Sequence, residues 1–179
     1  QIIQRKGVAL NVRVFDICSG IGGFSLGLHA TGGFETVAFC EVDPFCREVL
    51  EKRFPGTPIF GDLKELSSSE QTINTIPDHD LICGGIPCQP FSVAGRKKGK
   101  EDDRHLWPFM LEIIKQKKPT WIIVENVGGF VNMALDSLCF DLEAESYATQ
   151  SFVIPACSVQ APHRRDRVWI IGRKEDVAE

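Results

Sequence analysis

The residues best suited to chemistry in this chain stand at the ends of short apolar runs. Gly84-Gly85-Ile86-Pro87-Cys88-Gln89-Pro90-Phe91-Ser92 holds a cysteine between two prolines and after two glycines. Prolines restrict such a loop and glycines admit dihedrals closed to other residues, so the pattern aims and fixes a side chain. A nucleophilic Cys88 needs positive neighbours to favour its thiolate, and Arg96, Lys97, Lys98, Lys100 and Arg104 follow it. Taken alone, the pattern equally suits an inert cysteine buried in a proline-rich turn. Glu125-Asn126-Val127 ends the apolar run Trp121 to Val124. A carboxylic acid beside apolar residues has its pKa raised and can donate a proton to a ring nitrogen at neutral pH. Arg164, Arg165 and Arg167 follow His163, which reads as structural. Guanidinium groups there suit a phosphate or a base carbonyl, or a solvated charged turn.

A second group of residues suits binding rather than bond-making. Asp16, Cys18, Gly20, Gly22 and Gly23 mark a turn where glycines let backbone approach a ligand and leave a helix N-terminus facing it. Glu41 and Asp43 follow about twenty residues later, the spacing at which an acid accepts hydrogen bonds from ribose hydroxyls. A tight structural turn with a helix cap is the alternative. In Gly61-Asp62-Leu63, Asp62 suits either an exocyclic amine such as adenine N6 or a helix N-cap. Asp16, Glu41 and Asp62 thus put one carboxylate at the end of each of three successive strands. Such an acidic rim suits a cofactor with a cationic reactive part and repels a pyrophosphate, which favours S-adenosylmethionine over a dinucleotide.

These residues need a scaffold that brings strand ends together. Periodicity predicts a strand over 12–18, the glycine turn, then a helix through Phe24, Leu26 and Leu28. A strand over 34–41 leads to Asp43 as a cap, Pro44 in the first turn and a helix from Phe45 to Phe54. A short strand at 58–60, strands at 80–84 and 119–125, a helix over 106–117, a helical stretch over 131–145 and strands at 149–154 and 167–172 complete the pattern. The alternation predicts a largely parallel sheet covered on both faces, with ligands at the strands' carboxyl ends. The 179 residues suit a single domain over 1–179, undivided by repeat or linker. With 43% hydrophobic and 25% charged residues the disordered class is excluded. No apolar run approaches the length of about 18 residues that a membrane span needs. A net charge of −4 excludes a polycationic surface and leaves room for a local basic patch. Seven scattered cysteines without a signal peptide predict reduced thiols in an intracellular protein. Cys40 to Cys46 and Cys83 to Cys88 are not C-x-x-C pairs, so no metal site is expected.

In this order FDICSGIGGFSLGL, CEVDP, GDL, GGIPCQPFS, ENV and PHRRDRVWIIG resemble the motifs of the DNA cytosine-5 methyltransferase family over positions 14 to 172. The resemblance implies an α/β, Rossmann-like fold dependent on S-adenosylmethionine, its sheet mostly parallel with an antiparallel last strand. It implies cytosine in double-stranded DNA as substrate, flipped out of the stack. Cys88 then matches the nucleophile that adds to C6, and Glu125 the group at N3 and the amino group. Asn126 matches a support of the Cys88 loop, and Arg165 and Arg167 the pair at the cytosine carbonyl. Gln89 and the loop from Ser92 to Arg104 match the segment that closes over the base, its lysines tracking phosphates. On the cofactor side the resemblance implies Phe15, Asp16, Gly20, Gly22 and Gly23 in the first motif. It implies Glu41 at the ribose with Val42 beside it, Asp62 at adenine and Leu106 in the pocket wall. Cys18 and Val42 stand where relatives carry aromatics, and His163 where glutamine is common.

The resemblance ends at Gly172, and the family's target recognition domain and last two motifs have no counterpart. A missing C-terminal region or a second chain is expected to carry them. Gly7 to Val12 faintly resembles the last motif but leaves no room for its helix, so permutation is set aside. Two other functions fit the same residues less well. One is a catalytically incompetent remnant that binds S-adenosylmethionine or DNA. The other is a nicotinamide-dependent dehydrogenase, which Ser25 at the third position of G-x-G-x-x-G opposes and which leaves Cys88 and Glu125 idle. The expected setting is the cytoplasm of a prokaryote, with a phage origin equally in keeping.

Overall fold

Short runs of β-branched and aromatic residues form the strands of the computed structural model, which describes residues 11–87, 106–132 and 134–175. They are β1 (Val12–Ile17), β2 (Phe34–Cys40), β3 (Ile59–Phe60), β4 (Leu81–Gly85), β5 (Trp121–Val127), β6 (Tyr147–Pro155) and β7 (Asp166–Lys174). Between them come α1 (Gly23–Thr31), α2 (Pro44–Arg53), α3 (Leu63–Leu66), α4 (Glu70–Asn74), α5 (Trp107–Lys117) and α6 (Leu135–Ala144). The strands join one sheet in the order β3-β2-β1-β4-β5-β7-β6. Pairs from β3 to β5 are parallel, and β7 runs antiparallel to both β5 and β6, as the expected fold requires. Chain order reverses between β1 and β4, the crevice where open α/β sheets bind ligands. The register levels the strand ends there, since Ile17 faces both Cys40 and Gly84 while Gly85 faces Glu125.

Helix starts follow local chemistry. Asp43 caps α2 by accepting from the Cys46 N–H at 2.9 Å, with Pro44 in the first position, as its sequence implies. The stretch between β3 and β4 folds into α3 and α4, for which the sequence carries too few turns to set up a helical period. Ser69 and Thr72 nevertheless close a reciprocal capping box at the start of α4. The helical pattern expected over 131–145 divides into a 3-10 segment, Gly128–Asn132, followed by α6.

Strand alternation sorts the core onto two faces. Phe15, Ile17, Ile82, Ile122 and Val124 join Met110 and Ile113 of α5 and Leu138 and Leu142 of α6. On the other face Val14, Leu81 and Cys83 meet Phe24 and Leu28 of α1, and Phe24 reaches Trp169 of β7 at a ring separation of 5.3 Å. Past β4 no described helix lies over this second face, where Phe152 and Ile154 are 46% and 43% exposed. Among the described residues the expected coverage of both faces is not met there. A helix about 10 Å across covers about two strands spaced about 4.8 Å apart, and α1 is centred on β1 and β2. Among the described residues no helix is long and apolar enough to cross a membrane.

Neither Gly84 nor Gly85 uses a positive φ, so the dihedral freedom read from their sequence is not what they supply. They supply absence of bulk. A Cβ on Gly84 would lie 2.5 Å from the Ile17 carbonyl oxygen and 2.6 Å from its Cγ1. Gly84→Ala should lower stability by about 1–3 kcal/mol, the range of overpacking, seen as a lower urea midpoint at constant slope. Gly27→Ala, in open space on α1, should instead raise stability by about 0.5–1 kcal/mol; equal effects would remove the close-contact explanation.

Candidate active site

The end of β1 carries a carboxylate withdrawn from water. Asp16 is fully buried. Its Oδ2 accepts from the Ser25 hydroxyl at 2.8 Å and the Ser25 N–H at 3.3 Å, while Oδ1 has no hydrogen-bond partner. Burial pushes its carboxyl up to about 7 against the pull of the two Ser25 bonds, and the charge of Glu41 adds to the rise. The turn between β1 and α1 passes through left-handed backbone at Cys18, Gly20 and Gly22, with φ of 50°, 53° and 86°. Glycine accepts that geometry readily, whereas Cys18 holds it at a cost. The turn aims the Gly20 N–H at Glu41 Oε2, 2.7 Å away, and the Asp43 N–H binds Oε1 at 2.8 Å. Two backbone donors thus fix the Glu41 carboxylate before any ligand arrives.

Glu41 lines a cavity of about 430 Å³ with Cys18, Val42, Asp62, Leu106 and Pro87. The volume lies in the range of small-molecule sites. Val42, 69% exposed, stands on the rim. Asp62 does both things its sequence left open: Oδ1 caps α3 by accepting from the Lys64 N–H at 2.8 Å, and the residue lines the cavity. Burial pushes the Cys18 thiol up to about 12, which makes it a neutral wall. Phe15 turns away into the core, its ring against Phe60 and His79, and its side chain lines neither cavity. The Asp16 side chain also lies behind the wall rather than in it.

A groove of about 660 Å³ adjoins this cavity and shares Cys18 and Gly85 with it. Gly23, Phe24, Phe152 and Trp169 give it an apolar wall, and Glu125 brings in an acid. Arg167 Nε lies 2.6 Å from Glu125 Oε1. The antiparallel ladder sets this pair, because Glu125 faces Trp169 and Val127 faces Arg167, which makes the acid and the arginine diagonal neighbours on one face. Burial raises the Glu125 carboxyl above the ordinary range, while Arg167 and Arg165 oppose the rise. Arg165 sits in the turn before β7 at φ 35°. Asn126 points to the opposite face and is buried there. Its Nδ2 donates to the Ile86 carbonyl at 3.2 Å, tying β5 to the exit of β4. Cys88, Gln89 and the loop from Ser92 to Arg104 lie outside the described residues.

Two roles were not legible in the sequence. A Cβ on Gly85 would come 2.9 Å from Glu125 Oε2, so glycine there leaves room for the carboxylate. Ser25, which registers in sequence as a missing glycine, is the partner of Asp16. Its position in the first turn after a strand-ending acid is the signal that could have found it.

The family model for C-5 cytosine-specific DNA methylases matches residues 12–179. Type II methyltransferase M.HhaI of Haemophilus parahaemolyticus is 33% identical over 171 residues, covering 93% of this chain and 50% of that protein. Type II methyltransferase M2.BsuMI of Bacillus subtilis (strain 168) is 36% identical over 170 residues, covering 90% and 42%. Among solved structures, a mutant of Spodoptera frugiperda DNMT2 superposes with a TM-score of 0.75 at 25% identity, covering 93% of this chain and 51% of that one. The S. pombe Dnmt2 methyltransferase shares the fold at 22% identity and a TM-score of 0.77, over 94% and 52% of the two chains. The chain spans half or less of the length of these two curated relatives.

The buried acid at the end of β1 has a measurable signature. Between the unfolded carboxyl pKa of about 3.9 and the folded value of about 7, the folded chain holds the extra proton. Stability is therefore lost as pH rises through that window and levels off above it. Asp16→Asn should change stability little near pH 4 and raise it most near pH 8, in urea denaturation at a series of pH values. Parallel curves for the two proteins would mean that Asp16 does not titrate in this window.

Proposed function

Because the chain belongs to the C-5 cytosine-specific DNA methylase family, we propose that it forms the catalytic part of an enzyme that methylates C5 of cytosine in double-stranded DNA with S-adenosylmethionine. The observation that carries this reading is the meeting of two cavities at Cys18 and Gly85, one lined by the fixed Glu41 and the other by Glu125, whose carboxylate pairs with Arg167. A methyl donor in the first and a base in the second would face each other across a glycine.

The residues of the first cavity fit the cofactor. Glu41, held by two N–H groups, would accept from the ribose hydroxyls, and Asp62 from the adenine amine. Val42 and Leu106 would flank the purine, Gly20 would act through the N–H that fixes Glu41, Gly22 and Gly23 would carry the turn into α1 on the groove side, and Phe15 and Asp16 would support the turn from behind. When bound, the cofactor supplies an electrophilic methyl group on a sulfonium.

In the groove Glu125 would hold a proton at N3 of the cytosine and accept from its amino group. Its burial keeps the acid form accessible while Arg167 and Arg165 restrain it and meet the base carbonyl. Protonation at N3 draws electrons from the ring, so the Cys88 thiolate can add at C6 and leave C5 nucleophilic. Once C5 carries the methyl group, its proton departs to a base and the sulfur–C6 bond breaks, returning the thiolate. Asn126 would steady the backbone that leads to Cys88 through Ile86, and Gln89 would close over the base. A paired base is out of reach of such a groove, so the cytosine must leave the stack. The part of the relatives' length that this chain does not span would carry the region that reads DNA sequence, in the same chain or a second one.

Labelled methyl transfer from S-adenosylmethionine to mixed-sequence duplex DNA tests the reading. Cys88→Ser should abolish transfer and leave cofactor affinity within about twofold, since the thiol meets only the base. A variant with ordinary turnover would take Cys88 out of the mechanism, and cofactor binding without transfer by either protein would favour the incompetent remnant. Glu41→Ala should weaken cofactor binding about tenfold or more, the cost of one charge-assisted hydrogen bond, in calorimetry. Unchanged affinity would refute the ribose assignment.

A further inference from the structure

We infer that the Ser19 hydroxyl is a positioning group for the cofactor site: it clasps the ends of β1 and β2 and so holds the Gly20 N–H on the Glu41 carboxylate that receives the ribose. The inference rests on the cofactor reading above and names what keeps Glu41 oriented within it. Glu41 serves a ribose best when both its oxygens already stand where the hydroxyls arrive, because ordering a side chain at the moment of binding costs affinity. One of those oxygens depends on Gly20, and glycine by itself fixes nothing.

The turn that carries Gly20 lies beyond the ladder. Pairing of β1 with β2 ends where Ile17 faces Cys40. Past that point Cys18, Gly20 and Gly22 take left-handed backbone, an arrangement that persists only where surrounding contacts over-determine it. Ser19 makes such contacts from its buried position between Cys18 and Gly20. Its Oγ donates to the Asp16 carbonyl at 2.6 Å and reaches the Cys40 carbonyl at 3.3 Å. Its N–H donates to the same Cys40 oxygen at 3.3 Å, and its own carbonyl accepts from the Gly22 N–H at 2.9 Å. One residue thus ties together the end of β1, the end of β2 and the far side of the turn.

Both partners of the Gly20–Glu41 bond are chain neighbours of groups that Ser19 holds. Gly20 follows Ser19 and Glu41 follows Cys40, so the clasp sets the 2.7 Å approach between them from two sides. Without the hydroxyl the turn would keep its backbone bonds, while the Gly20 peptide gained the freedom of glycine. Glu41 would keep the Asp43 N–H on Oε1 at 2.8 Å and lose its hold on Oε2. Removing the hydroxyl should therefore act on affinity, and only through Glu41. Ser19 also borders the groove, where direct contact with a ligand would act without Glu41. That difference separates the two roles.

Amide hydrogen exchange on the ligand-free chain and calorimetry with S-adenosylhomocysteine test the inference together. In Ser19→Ala the Gly20 amide should exchange about tenfold faster relative to the core amide of Ile82, the response of a locally loosened segment. S-adenosylhomocysteine should bind Ser19→Ala about tenfold more weakly than the unmodified chain, the effect of one buried hydrogen bond. In a Glu41→Ala background the same substitution should change affinity by about twofold or less, because the group it positions is gone. Equal losses in the two backgrounds would give Ser19 a general structural or direct-contact role and overturn the inference, as would unchanged exchange at Gly20. Failure of the unmodified chain to bind S-adenosylhomocysteine would overturn the cofactor reading instead, and the exchange measurement would still judge the clasp.

Discussion

The site depends on a contact to which one strand brings no side chain. Parallel strands present their carboxyl ends together only while they stay in register, and the ends of β1 and β4 must also open a crevice. At Ile17 and Gly84 the two strands lie too close for even a methyl group. One residue on, Gly85 leaves the same empty space beside Glu125. Two adjacent glycines thus do different work: the first lets the strands pack, and the second lets a carboxylate stand at the junction of the two cavities.

Around that contact, two acids share a burden and meet it differently. Burial raises both Asp16 and Glu125. Glu125 is half-buried and has arginines on its own face of the sheet, one of them in a close ion pair. Asp16 has only a hydroxyl and an N–H, both from the first turn of α1. That arrangement follows from the turn, because Gly22 at the start of α1 has no side chain with which to cap it. The acid at the end of the preceding strand takes over part of that duty, and an anion at a helix N-terminus is favourable there.

What was legible in the sequence was local. The cap at Asp43, Pro44 behind it, the strand leading into Asp16 and the run into Glu125 need only neighbouring residues to be understood. The Glu125–Arg167 pair was not, since forty-two positions separate the two and only the antiparallel return of β7 joins them. Gly84 and Gly85 were noticed for the wrong reason: sequence displays a glycine's freedom, whereas crowding by Ile17 or Glu125 exists only in three dimensions. Phe15 likewise sits in a motif yet points into the core, because its neighbours in the strand alternate faces. The open face beyond β4 was hidden for a related reason, as alternating elements say how many helices exist and not how far each reaches.

The ladder between β5 and β7 also governs where this half of the molecule can change length. Arg167 shares a face with Glu125 because an even number of positions separates it from Trp169, which Glu125 faces. One residue gained or lost between Arg167 and Trp169 would turn the arginine toward α6 and leave the acid without it. The connection from Ala156 to Arg165, which joins β6 to β7 outside the ladder, carries no such parity rule. Insertions and deletions inherited by relatives of this chain should therefore collect in that connection, while the count of residues inside β7 stays constant.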